Sequence, residues 1–135
     1  MRLTFFVRGA LENPLNERWH WVTRYRWAKR WRMETRLAFM AAYPSSWVLA
    51  AARYSSHRLK RVVFTAHVVR GFDHHDNLRA ALKPVLDELT RGNLRKPGLG
   101  IISGDSPDDG HEFDYYQIKG TGKRGVHVEI ESRRF

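Results

Sequence analysis

Residues 72–89 read FDHHDNLRAALKPVLDEL. Wound at about 100° per residue, this stretch separates into two faces. Leu78, Leu82, Val85, Leu86 and Leu89 fall on one, with Ala81 at its edge. Asp76, Lys83 and Asp87 fall on the other, because steps of seven and four residues return to nearly the same azimuth. The stretch therefore predicts a helix that packs one side on a core and presents carboxylates beside an ammonium on the other. Asp76 or Asn77 is placed to cap it. Pro84 removes the bond to the Ala80 carbonyl and is expected to kink or reset it, and Arg91-Gly92-Asn93 ends it. The plain account of the polar face is a solvated surface with an ordinary i,i+4 pair between Lys83 and Asp87. A functional account requires a second acidic cluster, and residues 100–110, GIISGDSPDDG, provide one. A short buried strand is expected there, ending in an acidic loop, although such loops are by themselves only turns.

Upstream, residues 61–70, RVVFTAHVVR, alternate as a strand, with Val62, Phe64, Ala66 and Val68 on one face. His67 is expected at a partly buried sheet position. That strand leads directly into the acidic segment, which places the candidate site at a strand end that opens a helix. Residues 3–7, LTFFV, predict a first strand, and residues 17–42 predict a long helix capped by Asn16. The long helix interleaves Trp21, Tyr25, Trp27 and Trp31 with seven basic residues from Arg18 to Arg36, and Trp19 stands near its start. Most of its tryptophans are expected to pack on the sheet. Its basic residues far outnumber its two acids, Glu17 and Glu34, and are expected to meet phosphate. After a break at Pro44, residues 47–52 are apolar enough to continue as helix, and residues 55–60 read as an exposed basic loop. Two further strands are expected at 115–119 and 125–131, joined by a Gly-rich basic turn. The expectation is a single α+β domain. A small mixed β-sheet packs against a long basic N-terminal helix and a second helix carrying the acidic site.

Composition narrows the partners. The chain of 135 residues carries a formal net charge of +10, so an anionic partner is expected, nucleic acid before a membrane surface. Arg24, Lys29, Arg30, Arg36, Arg95 and Lys96 are the candidates for backbone contacts. There is no cysteine, which excludes thiolate metal sites and disulfides and fits a reducing cytosol. The longest apolar runs are far too short to span a membrane, and the opening MRLTFFVRGALENP does not read as a signal peptide. A cytoplasmic protein is expected.

Clustered carboxylates are costly unless a cation neutralises them, and hard oxygen donors favour Mg²⁺ or Mn²⁺. If the strands before the two acidic segments are neighbours, Asp73, Asp76 and Asp105 can converge at one sheet edge, with Lys83 along the helix to hold a phosphate. The order of these motifs resembles the RusA family of Holliday junction resolvases. The likeness lies in Asp76-Asn77-Leu78, then Lys83-Pro84-Val85-Leu86-Asp87-Glu88-Leu89, then Gly100-Ile101-Ile102-Ser103-Gly104-Asp105-Ser106. It also includes Pro14-Leu15-Asn16 with Trp19 after a first strand. The resemblance implies a small α+β homodimer that nicks four-way branched DNA in a Mg²⁺-dependent reaction, in a bacterial or phage-infected cytoplasm. It assigns metal ligation to Asp76 and Asp105, with Asp73 as the candidate third ligand, and an assisting role to Lys83. Where the family has an acid two residues before the Asp-Asn pair, this chain has His74. Asp73, or a ring nitrogen of His74 or His75, is left to fill that place. The helix lysine also stands about one turn later than in the family pattern. The alternatives are a non-catalytic basic nucleic-acid-binding module and a metal hydrolase assisted by His74, His75 and His111.

Overall fold

Four strands and three α-helices make up the computed structural model, which describes residues 2–14, 19–73 and 75–132. The cap expected at Asn16, the resemblance at Leu15-Asn16 and the histidine at 74 lie outside the described residues. In chain order the elements are β1 (Arg2–Arg8), α1 (Trp21–Ala42), α2 (Ser46–Tyr54), β2 (Lys60–Val68), α3 (His75–Leu89), β3 (Glu112–Lys119) and β4 (Gly125–Ser132), with a 3₁₀ turn at Pro107–Asp109. The architecture is α+β, with one mixed sheet ordered β1-β4-β2-β3. β4 pairs antiparallel with both β1 and β2, and β2 pairs parallel with β3.

The alternation of β2 puts Val62, Phe64, Ala66 and Val68 under the helices, next to Val126, Val128 and Ile130 of β4 and Leu3, Phe5 and Val7 of β1. β-branched and aromatic side chains suit such a pleated, half-buried surface. The apolar face of α3 (Leu78, Ala81, Leu82, Val85, Leu86 and Leu89) closes over this layer, as its periodicity predicts. The helix runs through Pro84, which is itself buried on that face.

α1 contributes less aromatic surface to the core than its sequence predicts. Its buried stripe is Trp31, Thr35 and Phe39, one residue every four, while Trp21 is exposed and Trp27 only half buried. Phe39 meets Phe5 edge to face at 5.6 Å. Tyr43 Oη accepts the Thr4 N–H at 2.8 Å, which satisfies a donor on the outer strand β1. His20, rather than an upstream residue, caps α1 by accepting from the Val22 N–H.

Two further expectations are corrected. Residues 100–103 form no strand, and Ile102 makes only a single parallel bridge to Thr90. This segment is instead anchored on the last carbonyls of α3: the Leu99 N–H donates to Glu88 O, and the Ile101 N–H to Leu89 O. Orphan carbonyls at a helix end need such donors, so the segment is held without sheet pairing. Lys60 is not part of an exposed loop. It opens β2 and is 1 % exposed, and Ser56 is buried as well. Among the described residues, no helix is long and apolar enough to cross a membrane.

Candidate active site

Lys83 lies mid-way along the outer face of α3. Its ammonium donates to Asp105 Oδ2 and forms an ion pair with Asp87 Oδ1 at 3.0 Å. The two acidic segments of the sequence therefore do meet, through the lysine. All three side chains are open, at 53 % exposed for Lys83, 43 % for Asp87 and 38 % for Asp105, so a phosphate can reach them. Burial lowers the Lys83 pKa, but hydrogen bonds from the ammonium to Asp105 and Asp87 outweigh it, and the net shift is upward. The group is thus a fixed cation at neutral pH. It can hold a phosphate or stabilise a leaving oxygen, and it is no general base.

The loop holding Asp105 is built by its neighbours. Ile101 and Ile102 anchor it in the core, and the Ser103 N–H donates to Ser56 O. Beyond it, Ser106 and Asp109 form a reciprocal capping box on the 3₁₀ turn. Asp109 Oδ1 also accepts from Ser103 Oγ at 3.0 Å, so Asp109 serves the loop. Gly104 permits this closure, because a Cβ there would stand 2.6 Å from Asp109 Oδ2. Asp114 is engaged elsewhere, accepting from Arg61 Nε at 2.9 Å.

β3 supplies a group that sequence reasoning missed. Tyr115 stacks on Phe64, takes the Arg79 guanidinium over its ring at 5.3 Å and receives the edge of His75 at 5.8 Å. Burial pushes its phenol pKa up, while Arg79 and Lys83 pull it down, and the net direction is upward. The hydroxyl therefore stays protonated and remains a donor. Arg79 precedes Lys83 by one turn, and the alternation of β3 was the only hint of Tyr115.

The segment before α3 is fixed by a reciprocal clamp. The Phe72 N–H donates to Gln117 Oε1 at 2.8 Å, and Gln117 Nε2 donates back to Phe72 O at 3.0 Å. Asp73 follows on an exposed bend. Asp76 sits exposed in the first turn of α3, where the helix dipole favours a carboxylate. It lies on the face of Lys83, about two turns before it. Among the described residues, no three His, Asp or Glu side chains gather as a metal-holding group, so Asp73, Asp76 and Asp105 do not form one. In chemistry the donors suit a hard divalent cation, since Asp76, Asp87 and Asp105 offer open carboxylates only. In arrangement, the place between Asp87 and Asp105 belongs to the Lys83 ammonium. His111 is tied into the loop that holds Asp105. Its Nδ1 accepts the Lys60 N–H at 3.1 Å, and its Nε2 lies 2.8 Å from Ser103 Oγ, so both ring nitrogens are engaged.

Asp87 also belongs to a second feature. A groove of about 590 Å³ runs between α1, the end of α3 and the 93–98 turn, and Lys29, Arg32, Arg36, Arg95, Lys96 and Tyr25 line it with Asp87 and Glu88. Glu88 is 3 % exposed and is spent on Arg36 at 2.9 Å and Arg32 at 3.4 Å. Lys96 lies over the Tyr25 ring at 4.8 Å. Of the six basic residues singled out in the sequence, Lys29, Arg36, Arg95 and Lys96 come together here. Arg24, which donates to Pro14 O, and Arg30 do not line this groove. Arg32 was missed, although it shares the helix face of Lys29 and Arg36. A comparison with protein-family models and with curated proteins finds no match for the chain.

Proposed function

We propose that this protein is a divalent-cation-dependent endonuclease that nicks branched DNA, a four-way junction resolvase of RusA type acting as a homodimer. The observation that carries the reading is the continuity of the basic groove with the Lys83 cluster. Asp87 borders both, so a phosphodiester backbone lying along Lys29, Arg95 and Lys96 is led to a fixed ammonium flanked by two carboxylates. Backbone neutralisation of this kind supplies affinity and orientation without reading bases.

Asp76 and Asp105, with Asp73, are the carboxylates that would have to close around Mg²⁺ or Mn²⁺, since they do not already gather as a metal-holding group. Such an ion supplies an activated water and neutralises charge on the scissile phosphate. The chain's own residues do the rest. Lys83 exchanges Asp105 for a phosphate oxygen and stays charged as negative charge grows on the phosphorus oxygens and the leaving oxygen. Water adds to phosphorus, the bond to the leaving oxygen breaks, and a proton ends on that oxygen. Tyr115 offers a neutral hydroxyl nearby. Two sites related by a two-fold axis suit paired nicks in a two-fold junction.

The test is a labelled synthetic four-way junction incubated with the protein and Mg²⁺ or Mn²⁺, then resolved on a denaturing gel. Symmetric, metal-dependent nicks are expected, absent on linear duplex. Asp105→Asn should lower cleavage by about a hundredfold or more while junction binding is retained. Tight binding with no cutting in either metal overturns this reading in favour of a basic binding module in which Lys83 permanently neutralises Asp87 and Asp105.

A further inference from the structure

The other flank of α1 carries a second cleft, of about 320 Å³, between that helix and the end of β1. Steps of four residues bring Trp27 and Trp31 into its wall, and Arg26, Arg30 and Glu34 beside them. Trp19 completes it, its ring meeting that of Trp27 at 5.6 Å and an interplanar angle of 63°. Trp31 is packed so tightly beneath Gly9 that a Cβ there would stand 2.8 Å from the Trp31 ring, and Gly9 has a φ of +148° that favours glycine. The aromatic wall is therefore held by the backbone. Three arginines and two glutamates frame the opening, so it carries a net positive charge.

One atom in this wall is unexplained by the fold. Trp27 Nε1 is buried and, among the described residues, has no hydrogen-bond partner. A buried N–H without an acceptor is costly, and native structures rarely leave one. An acceptor on a molecule bound in the cleft would supply that partner. The site thus joins flat π surface, one orphan donor, carboxylate acceptors and guanidinium groups. A nucleotide matches all four: its base stacks, its edge both accepts and donates, and its phosphate pairs with arginine.

We propose that the Trp19–Trp27–Trp31 cleft binds an unpaired nucleotide, its base against the half-buried Trp19 and Trp27 indoles above the buried Trp31, with Trp27 Nε1–H donated to the base and Arg26 and Arg30 on the phosphate. This goes beyond the endonuclease reading, since it rests on a different flank of α1 and needs no cleavage. The ligand is either a base displaced from a DNA strand or a free nucleotide, and the test separates them.

The full chain is titrated, in EDTA, against three probes: a short single-stranded DNA containing one 2-aminopurine, the same strand in a blunt duplex, and 2-aminopurine nucleoside monophosphate. Quenching of 2-aminopurine by the single strand but not by the duplex is expected. Trp27→Phe, which keeps the ring and removes the N–H, should weaken it about tenfold, and Arg30→Gln should weaken it and reduce its salt dependence. A monophosphate that binds as tightly as the strand assigns the site to free nucleotides, and a clear preference for the strand assigns it to displaced bases. Absence of quenching, or quenching unchanged in both variants, overturns the proposal. If Trp27→Phe loses its circular dichroism spectrum, Arg30→Gln alone decides. Because no metal is present, failure here leaves the cleavage assay untouched, and the reverse also holds.

Discussion

Lys60 and His111 join residues that the sequence keeps far apart, and both make the fold sensitive to pH. Lys60 Nζ is buried and donates to Ile101 O at 2.6 Å and Ala52 O at 3.4 Å, so its acceptors are neutral carbonyls. Desolvation, and next the nearby Arg58, lower its pKa from 10.5 to about 8. Between those values the unfolded chain binds more protons than the native one, so stability rises with pH across that window. Lys60→Met is expected to abolish the rise, and its urea midpoint near neutral pH should be no lower than wild type, because a buried charge can be exchanged for an apolar chain of similar volume at little cost. Urea unfolding at about pH 8 and 10.5 checks this; a rise that persists in the variant would assign it to other groups. His111 acts with the same sign at lower pH. The Lys60 N–H fills its Nδ1, so the neutral ring carries its proton on Nε2 and donates to Ser103, which donates to Asp109. Burial lowers its pKa, Asp109 opposes this, and Lys60 adds to it. Stability is accordingly lost as pH falls from the unfolded value near 6.5. This polarity also sets Ser103 apart from an activated nucleophile, since the imidazole gives it a proton and does not take one.

At the scale of elements, α1 and α3 are fastened by Glu88. Its carboxylate meets Arg36 and Arg32, whose remaining N–H groups donate to Pro97 O at 3.1 Å and Lys96 O at 3.2 Å. One buried acid thus sets both the helix–helix contact and the turn that shapes the groove. Glu88→Ala should cost about 2–4 kcal/mol in urea unfolding, since it strands partly buried guanidinium groups; a loss under about 0.5 kcal/mol would mean that the pairs are solvated. The periodicity of α3 made its two faces legible in the sequence, and the alternation of β2 did the same for the core strand. The meeting of residues near 83 and 105 was legible only as chemistry, in that separated carboxylates and a lysine suit one phosphate. The route was not legible. Ile101 and Ile102 read as a strand because short apolar runs do not distinguish a strand from a segment capping a helix end. Glu88 sits among the leucines of α3, and nothing local reveals that Arg32 and Arg36, more than fifty residues earlier, come to neutralise it. The aromatic stripe of α1 misled for a related reason. Periodicity gives the azimuth of Trp27 and Trp31, but only the position of β1 decides which of them is covered.

For the whole molecule, the net charge of +10 becomes informative once it is distributed. α1 and α3 pack side by side on one face of the sheet, so their outer residues and the 93–98 turn bound a single groove in which five cations face two carboxylates, Glu88 paired within the groove and Asp87 paired with Lys83 at its border. A uniform basic surface and a focused groove predict different salt responses. Each phosphate neutralised contributes about −0.9 to the slope of log K against log salt concentration for duplex DNA. The triple variant Lys29→Gln, Arg95→Gln, Lys96→Gln removes three groove cations and leaves the Glu88 pairs intact. Its slope should be shallower than wild type by roughly 2–3, measured by fluorescence anisotropy on a labelled junction across a salt series. Arg24→Gln, on a residue that does not line the groove, should leave the slope within about 0.3 of wild type. A change from Arg24→Gln of about one third of that of the triple variant, the same per charge, would mean that the charge acts as a diffuse field, and the backbone path leading to Lys83 would have to be abandoned.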